Sequence, residues 1–151
     1  MGYPTPRQNQ NNSLLEIRQD RPFRVNVLIA DDSMMVCSRL RDLLSAIRGV
    51  AVSGEAHSAN EALDFIQENS PDIVILDIQM PGGSGFPVLQ RTKTDLPGTI
   101  VIILTNYPYP QYKKKYLDAG ADYFFDKSTE FEKLVELICQ LSDGQLFQHK
   151  N

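Results

Sequence analysis

Apolar segments alternate with amphipathic helical segments five times along this 151-residue chain, and this alternation is the feature that most restricts its fold. The apolar segments are short and mostly rich in β-branched residues, whereas each following segment has apolar residues at helical spacing. We predict helices that end near residues 47, 69, 93, 119 and 141, and strands over residues 25–30, 50–54, 73–76, 100–104 and 123–125. The repeated strand–helix order predicts an α/β protein.

The first, third and fourth of these strands are apolar throughout, instead of alternating between apolar and polar residues. Such strands are buried on both faces, as in a parallel sheet that carries helices on each side. Right-handed crossover connections leave few topologies for five such strands. The sequence therefore predicts a flavodoxin-like, doubly wound, five-stranded parallel sheet with strand order 2-1-3-4-5 and helices on both faces.

Short polar or glycine-rich segments separate the predicted elements. Ser58 and Glu61 have the spacing of a capping box at the start of the second helix. Residues 81–85 contain three glycines and are predicted to form a loop. Ser128 and Thr129 are predicted to cap the last helix, because their hydroxyl groups can accept hydrogen bonds from its first N–H groups.

Ionisable and hydroxyl side chains stand at the carboxyl ends of four of the five predicted strands. They are Asp31 and Asp32 after the first strand, Asp77 after the third, Thr105 at the fourth and Lys127 near the fifth. In a parallel sheet these strand ends share one edge, and the predicted order puts the third strand between the first and the fourth. We therefore expect all five side chains in one shallow cleft.

The chemistry of this cleft follows from its three carboxylates, which repel one another unless a cation is present. An acidic pair by itself more often supplies capping charge to a helix, but convergence with Asp77 and Lys127 favours a metal site. Carboxylate oxygens with waters and a phosphate suit Mg²⁺. A carboxylate beside Mg²⁺ is a credible nucleophile toward phosphorus, and an ammonium would neutralise the phosphoryl oxygens.

In order and spacing, these residues resemble the receiver domains of two-component response regulators, the CheY-like superfamily. The resemblance spans about residues 24–142. It rests on Asp31-Asp32, Ile75-Leu76-Asp77-Ile78-Gln79-Met80-Pro81-Gly82, Ser84-Gly85, Thr105, Ala119-Gly120-Ala121-Asp122 and Lys127. The resemblance implies that the chain is a stand-alone response regulator, which is a switch and not an enzyme apart from catalysing its own phosphorylation and dephosphorylation.

The same resemblance implies a role for each matching residue at the metal site. Asp77 would be the phosphoacceptor. Asp32, Asp77 and the backbone carbonyl of Gln79 would be direct Mg²⁺ ligands, and Asp31 would act through a water molecule.

The resemblance also implies how the signal leaves the site. Lys127 would pair with the phosphoryl group, Thr105 would turn inward and donate to it, and Phe124 would rotate into the vacated space. The phosphoryl group would come from a histidine kinase or a phosphotransfer protein. The output surface would be the fourth helix, fifth strand and fifth helix, which carry Tyr109, Tyr112 and Tyr116 and would bind a downstream protein or a second copy.

Three positions depart from the family pattern. Ser128 follows Lys127 where a proline is usual, Asn106 follows Thr105 where a smaller residue is usual, and Gly83 replaces a larger apolar residue. The first departure affects the geometry of the loop after Lys127, and the second affects the access of a phosphodonor or water.

The composition of the chain indicates its terminal tails, the partners it is expected to bind and its expected location in the cell. Residues 1–22 and 144–151 are predicted to be tails around a receiver domain at 23–143. The net charge of -4 argues against nucleic acid as the main partner, and no apolar run is long enough for membrane insertion. Because no secretory signal is visible, we expect a cytoplasmic protein.

The two cysteines, Cys37 and Cys139, are predicted to be reduced, buried and small apolar side chains on the first and last helices. A zinc site is not expected, because the sequence has no CxxC and both His57 and His149 are distant from the cysteines in sequence. His57 is expected to be an ordinary surface or strand-edge residue.

Three other functions are consistent with parts of this pattern. A pseudo-receiver would bind partners without being phosphorylated, but the complete acidic set argues against it. A phosphohydrolase with an aspartate nucleophile needs a second acidic residue just downstream, which Asp77-Ile78-Gln79 lacks. A flavin-binding protein needs a phosphate-binding loop after the first strand, where Asp31-Asp32 would repel phosphate.

Overall fold

The computed structural model describes residues 24–143, and it has the α/β architecture expected from the sequence. The tails predicted at 1–22 and 144–151 lie outside the described residues. The elements are β1 (Val25–Ala30), α1 (Met34–Ser45), β2 (Val50–Ala56), α2 (Ala59–Asn69), β3 (Ile73–Leu76), β4 (Gln79–Met80), β5 (Gly83–Ser84), α3 (Phe86–Asp95), β6 (Ile100–Thr105), α4 (Pro110–Asp118), β7 (Tyr123–Asp126) and α5 (Phe131–Ser142). Among the helices described, none is both long and apolar enough to cross a lipid bilayer.

The main sheet has five parallel strands in the order β2-β1-β3-β6-β7. Since β6 and β7 are the fourth and fifth strands predicted from the sequence, this order confirms the predicted topology. The central strand β3 pairs Leu76 with Ala30 of β1 on one side and with Ile103 of β6 on the other. β1 and β3 therefore end level with each other at the carboxyl edge of the sheet, and β6 continues beyond them to Thr105.

Two separate apolar cores cover the faces of the sheet, and alternate residues of the same strand enter different cores. This alternation explains why the central strands are apolar at every position. Burial of each large aliphatic side chain stabilises the fold by roughly 1.5–3 kcal/mol. The core beneath α1 and α5 includes Val27, Ile29, Ile73, Ile75, Ile102, Leu40 and Leu134, and the core beneath α2, α3 and α4 includes Leu28, Val74, Leu76, Val101, Ile103, Ile66 and Leu89.

The segment predicted as a loop at 81–85 contains part of a small antiparallel hairpin. Strands β4 and β5 pair Gln79 with Ser84 and Met80 with Gly83. Gly82 in the turn between them and Gly83 at the start of β5 have positive φ angles of 86° and 146°, which glycine adopts without steric cost. Two-residue strands are too short to give a periodic signal, so the sequence pattern did not indicate them.

The start of α5 differs from the prediction. Its N-cap residue is Glu130, which makes no side-chain capping bond, and the helix begins at Phe131. The N–H and hydroxyl groups of Ser128 donate to Oδ1 of Asp126 at 2.9 and 2.8 Å. Capping by Ser128 and Thr129 was therefore a wrong prediction, because a local turn with Asp126 orders this segment before the helix begins.

The two cysteines are both free, but only Cys37 is buried as predicted. Cys139 is exposed. It lies beside the apolar stripe of α5 and not within it, so the prediction of burial was wrong for this residue. The stripe consists of Phe131, Leu134, Ile138 and Leu141.

Asp122 joins three elements at the amino edge of the sheet, opposite the predicted cleft. Its Oδ2 accepts the backbone N–H of Val101 at 2.8 Å and the ammonium of Lys93 at 3.0 Å. Lys93 also donates to the backbone carbonyl of Thr99 at 2.7 Å. These bonds connect α3 to the start of β6 and to the segment before β7, and they give Asp122 a structural role.

We expect Asp122→Ala to lower the free energy of unfolding by about 1 to 3 kcal/mol, because the N–H of Val101 loses its carboxylate partner. Asp118→Ala is the matched control, since Asp118 makes only an exposed i,i+4 ion pair with Lys114. The control should change stability by less than about 1 kcal/mol. Urea unfolding followed by circular dichroism measures both values, and equal losses would contradict the proposed role of Asp122.

Candidate functional site

The candidate site lies at the carboxyl edge of the sheet, where β1, β3 and β7 end. The N–H of Asp77 donates to the carbonyl of Ala30 at 3.0 Å, so the β1–β3 pairing extends to the acidic residue. The N–H of Lys127 donates to the carbonyl of Thr105 at 2.8 Å and fixes the lysine beside the end of β6. Every peptide bond in residues 24–143 is trans, including Lys127–Ser128.

Lys127 forms a buried bridge between two of the predicted acidic residues. Its Nζ lies 2.7 Å from Oδ2 of Asp31 and 3.1 Å from Oδ2 of Asp77. The three side chains are 9%, 3% and 8% exposed, so the charges lie in a medium of low polarity. In such a medium each charge needs a partner of opposite sign, and the ammonium serves both carboxylates.

Asp32 completes a set of three carboxylates that could hold a metal ion. One oxygen from each of Asp31, Asp32 and Asp77 lies within 4.8 Å of the others. Asp32 is exposed, whereas the other two are buried, so the set opens to solvent on one side. With Lys127 included, the cluster carries two unbalanced negative charges. The all-oxygen donor set and this charge fit a hard divalent cation such as Mg²⁺.

The buried charges shift the ionisation of this cluster. Burial raises the pKa of Asp77, the charge of Asp31 raises it further, and Lys127 offsets only part of the increase. Burial disfavours the Lys127 ammonium, but its hydrogen bonds and the charges of Asp31 and Asp77 outweigh burial and raise its pKa. Lys127 therefore stays charged at neutral pH, while the raised pKa of Asp77 means that ionising this carboxylate costs stability.

The other predicted site residues surround this cluster. The N–H of Gln79 reaches back toward Oδ1 of Asp77 at 3.4 Å. Thr105 is fully buried, and its hydroxyl oxygen accepts the N–H of Tyr107 at 3.0 Å. Phe124 is partly buried against the core beneath α2, α3 and α4. The Thr105 hydroxyl is thus bonded to the loop that precedes α4.

Gly85 determines how closely the segment after the hairpin can approach the acidic site. A Cβ atom at this position would lie 2.4 Å from the backbone carbonyl oxygen of Asp77, a distance that no side chain tolerates. The N–H of Gly85 also donates to the carbonyl of Ile78 at 2.9 Å. The sequence motif included Gly85, but its steric role becomes visible only in the structure.

The tyrosines around α4 differ in exposure. Tyr107, Tyr109 and Tyr112 are 39%, 52% and 38% exposed, respectively. Tyr116 is only 2% exposed, and its ring packs edge-on against Phe86 at 5.2 Å. The prediction that Tyr116 contributes to the output surface was therefore wrong, because this side of α4 faces the core.

Comparison with known proteins agrees with this geometry. A family model described as "Response regulator receiver domain" matches residues 27–139. The chain is 30% identical over 121 residues to the transcriptional regulatory protein DesR of Bacillus subtilis, which covers 80% of this chain and 60% of that protein. It is 35% identical over 112 residues to the uncharacterized transcriptional regulatory protein YhcZ of the same bacterium, which covers 74% of this chain and 52% of that protein.

The chain therefore spans between about half and three fifths of the length of these curated relatives. Among solved structures, it is similar to a response regulator receiver domain protein (CheY-like) from Methanospirillum hungatei JF-1. The TM-score is 0.72 at 27% identity, and the match covers 82% of this chain and 98% of that chain.

We expect Asp77→Asn to raise the free energy of unfolding at pH 7 in the absence of divalent metal. Because burial raises the pKa of Asp77, the folded protein holds that proton more tightly than the unfolded chain. The free energy of unfolding should therefore fall as the pH rises above 3.8, the ordinary pKa of an aspartate carboxyl group. The asparagine variant should lack this part of the pH dependence. Urea unfolding in a chelating buffer at several pH values measures the difference.

Lys127→Met should have the opposite effect and lower the free energy of unfolding by about 3 kcal/mol at neutral pH, since it leaves buried carboxylates without their cation. The same urea experiment provides the test. If both variants changed stability in the same direction, the bridge described above would not be the main electrostatic interaction of the site.

Proposed function

Because the chain belongs to the response regulator receiver domain family, we propose that it is a phosphorylation switch in which Asp77 accepts a phosphoryl group. Phosphoryl acceptance is general for this family. The observation that supports Asp77 most directly is the buried bridge of Lys127 to Asp31 and Asp77, beside the exposed Asp32. The carboxylate that we propose as the nucleophile thus lies beside a cation and a solvent-facing carboxylate at one point of the sheet edge.

Receiver domains generally bind Mg²⁺ through acidic residues. In this chain, Asp32, Asp77 and the backbone carbonyl of Gln79 would hold the ion directly, with Asp31 acting through water. When bound, Mg²⁺ would supply positive charge for the phosphoryl oxygens. The two unbalanced negative charges of the cluster support this assignment, as does the opening to solvent at Asp32.

In the proposed reaction, a carboxylate oxygen of Asp77 attacks the phosphorus atom of the donor. A P–O bond to Asp77 forms while the bond from phosphorus to the donor's leaving group breaks. Lys127 lies 3.1 Å from the attacking carboxylate, so its ammonium can neutralise the phosphoryl oxygens after a short movement. Hydrolysis of the acyl phosphate would return the carboxylate, and the chain would act on no other substrate.

The position of Thr105 supports a specific route from the site to the surface. To donate to a phosphoryl oxygen, its hydroxyl must turn away from the N–H of Tyr107, which it now accepts at 3.0 Å. The loop before α4 would lose that bond. Phe124 pairs with Ile103 in the β6–β7 register, beside the end of β6, and would fill the space that Thr105 leaves.

The proposed output surface consists of α4, β7 and α5, with Tyr109 and Tyr112 exposed on it at a ring separation of 5.9 Å. Tyrosine is enriched at protein interfaces. The phosphoryl donor would be a histidine kinase or a phosphotransfer protein in the cytoplasm. The signal of a stand-alone receiver would leave through this surface to a downstream protein or a second copy. The name of DesR, a transcriptional regulatory protein, indicates the alternative of an attached output domain.

We expect acetyl phosphate with Mg²⁺ to add one phosphoryl group, measured as intact mass. The label should be absent in Asp77→Asn and absent from the wild type in a chelating buffer. Asp64→Asn should keep the phosphoryl label, because Asp64 lies on α2 and is not part of the acidic site. A label that persists in Asp77→Asn would contradict the assignment of the phosphoacceptor.

Mg²⁺ should also stabilise the unphosphorylated protein, by about 2.7 kcal/mol at a concentration 100 times its dissociation constant. Asp32→Asn should reduce this gain, since it removes a proposed direct ligand. Asp64→Asn again provides the control. Thermal melts across a Mg²⁺ titration measure the effect, and an unchanged melting temperature for the wild type would exclude the proposed site.

The output route can be tested by hydrogen exchange with beryllofluoride as a phosphoryl mimic. Exchange at the N–H of Tyr107 should become faster, and changes should extend through α4 and β7. Thr105→Val should still bind the mimic, but the changes in hydrogen exchange should stay near Asp77. Valine has no hydroxyl group, so it cannot transfer a hydrogen bond from Tyr107 to the phosphoryl mimic. If the wild type shows changes only around Asp77, the proposed route is wrong.

A further inference from the structure

A second cluster of metal-ligating side chains lies on the α1 side of the sheet, apart from the three aspartates. It consists of Cys37 on α1, Glu55 on β2 and His57 just after β2, with one ligand atom from each within 4.8 Å of the others. We propose that these three residues form a binding site for Zn²⁺ or a similar soft divalent cation. The site is additional to the proposed Mg²⁺ site and shares no residue with it.

An irregularity in β2 brings the cluster together. Val27 of β1 pairs with Val52, but the next residue, Leu28, pairs with Gly54, so Ser53 is an extra residue in β2. Because side chains alternate between faces of a strand, one extra residue moves all later side chains to the opposite face. Glu55 thereby pairs with Ile29. It lies on the face that α1 covers, instead of the face that α2 covers.

The Nε2 atom of the His57 imidazole faces the carboxylate of Glu55. Nε2 is shut off from solvent and makes no hydrogen bond with any described residue. It lies 3.4 Å from Oε1 of Glu55, within ion-pair distance when the imidazole is protonated. The backbone of His57 is fixed, because its N–H donates to Oε1 of Glu61 at 2.8 Å, and Glu61 belongs to the confirmed cap formed with Ser58. A metal ion between the side chains would give Nε2 a partner.

The carboxylate of Glu55 is oriented so that one oxygen is available. Arg41 donates to Oε2 at a distance of 2.6 Å, which leaves Oε1 on the side of His57. Such bonds from neighbouring residues orient metal ligands and increase affinity. Arg41 also lowers the pKa of Glu55, mainly through this hydrogen bond, so the carboxylate is ionised at neutral pH.

The donor set determines which cations fit. A thiolate and an imidazole favour Zn²⁺, whereas the three aspartates offer only oxygen and favour Mg²⁺. The charges of a thiolate and a carboxylate balance a divalent cation. Three protein ligands leave a fourth tetrahedral position for water. The His57 side chain is 36% exposed while Cys37 is buried, so a cation could enter past the imidazole and meet the sulfur at the closed end.

Binding requires a proton to leave the sulfur. The thiol of Cys37 now donates to the backbone carbonyl of Asp31 at 3.3 Å. As the metal–sulfur bond forms, the S–H bond breaks and the proton passes to solvent. The bond to Asp31 is lost in the same step, so occupancy of this site removes a contact to the backbone of the phosphorylation site.

The experiment is a Co²⁺ titration of the full, reduced chain in excess Mg²⁺, which fills the oxygen site. We expect a thiolate-to-cobalt charge-transfer absorption, tetrahedral d–d bands and displacement of both by one equivalent of Zn²⁺. Cys37→Ser should abolish the charge-transfer band, and Cys139→Ser should retain it. His57→Gln should weaken Co²⁺ binding by at least about tenfold, whereas His149→Gln should not.

His57→Gln keeps the test valid if the buried Cys37→Ser variant fails to fold, because His57 is partly exposed. The absence of a charge-transfer band in the wild type would overturn the proposal. A signal that depends on Cys139 or His149 would also overturn it. Equal loss of Co²⁺ binding in Asp77→Asn would assign the ion to the aspartates and exclude the second site.

Discussion

Two buried carboxylates at the edge of the sheet are compatible with a stable fold only because one ammonium lies between them. Lys127 follows β7, while Asp31 and Asp77 follow β1 and β3, so the bridge links β7 to two strands with which it does not pair. Its geometry requires that the carboxyl ends of β1, β3 and β7 lie at the same edge of the sheet. The parallel order and the burial of the central strands between two cores bring these strand ends together and so make the bridge possible. Any cation or phosphoryl group that enters the site must compete with this bridge.

The sequence pattern predicted the sheet and the main cleft because both depend on repeated apolar segments and on the polar residues at their ends. The central strands are apolar at every position, and polar residues follow them directly. Elements defined by a few local bonds were predicted less well. The β4–β5 hairpin is too short for a periodic signal, and the turn at Asp126 delays the start of α5. The exposure of Cys139 and the burial of Tyr116 depend on which side of a helix faces the core. An error of one residue in locating that side turns a buried residue into an exposed one, or the reverse.

The Cys37–Glu55–His57 cluster illustrates a limit of reasoning from spacing in the sequence. Glu55 lies 18 positions after Cys37 in the sequence, and the two meet only because β2 gains a residue at Ser53. Without that extra residue, the same strand would direct Glu55 toward α2. The local signal is the polar Ser53-Gly54 step inside an otherwise suitable strand, and it gives no indication of which residue is displaced. Only the register of the backbone shows that these side chains meet.

The separation of the two cores has a consequence for how the protein can diverge in sequence. Neighbouring residues of a strand face opposite cores, and helices on one side make no part of the core on the other. Substitutions beneath α1 and α5 therefore need compensation only within that layer, and the same holds beneath α2, α3 and α4. One helical layer can therefore change its packing residues while the other keeps its own. The sheet between them is a common boundary, so the packing of each layer is inherited separately.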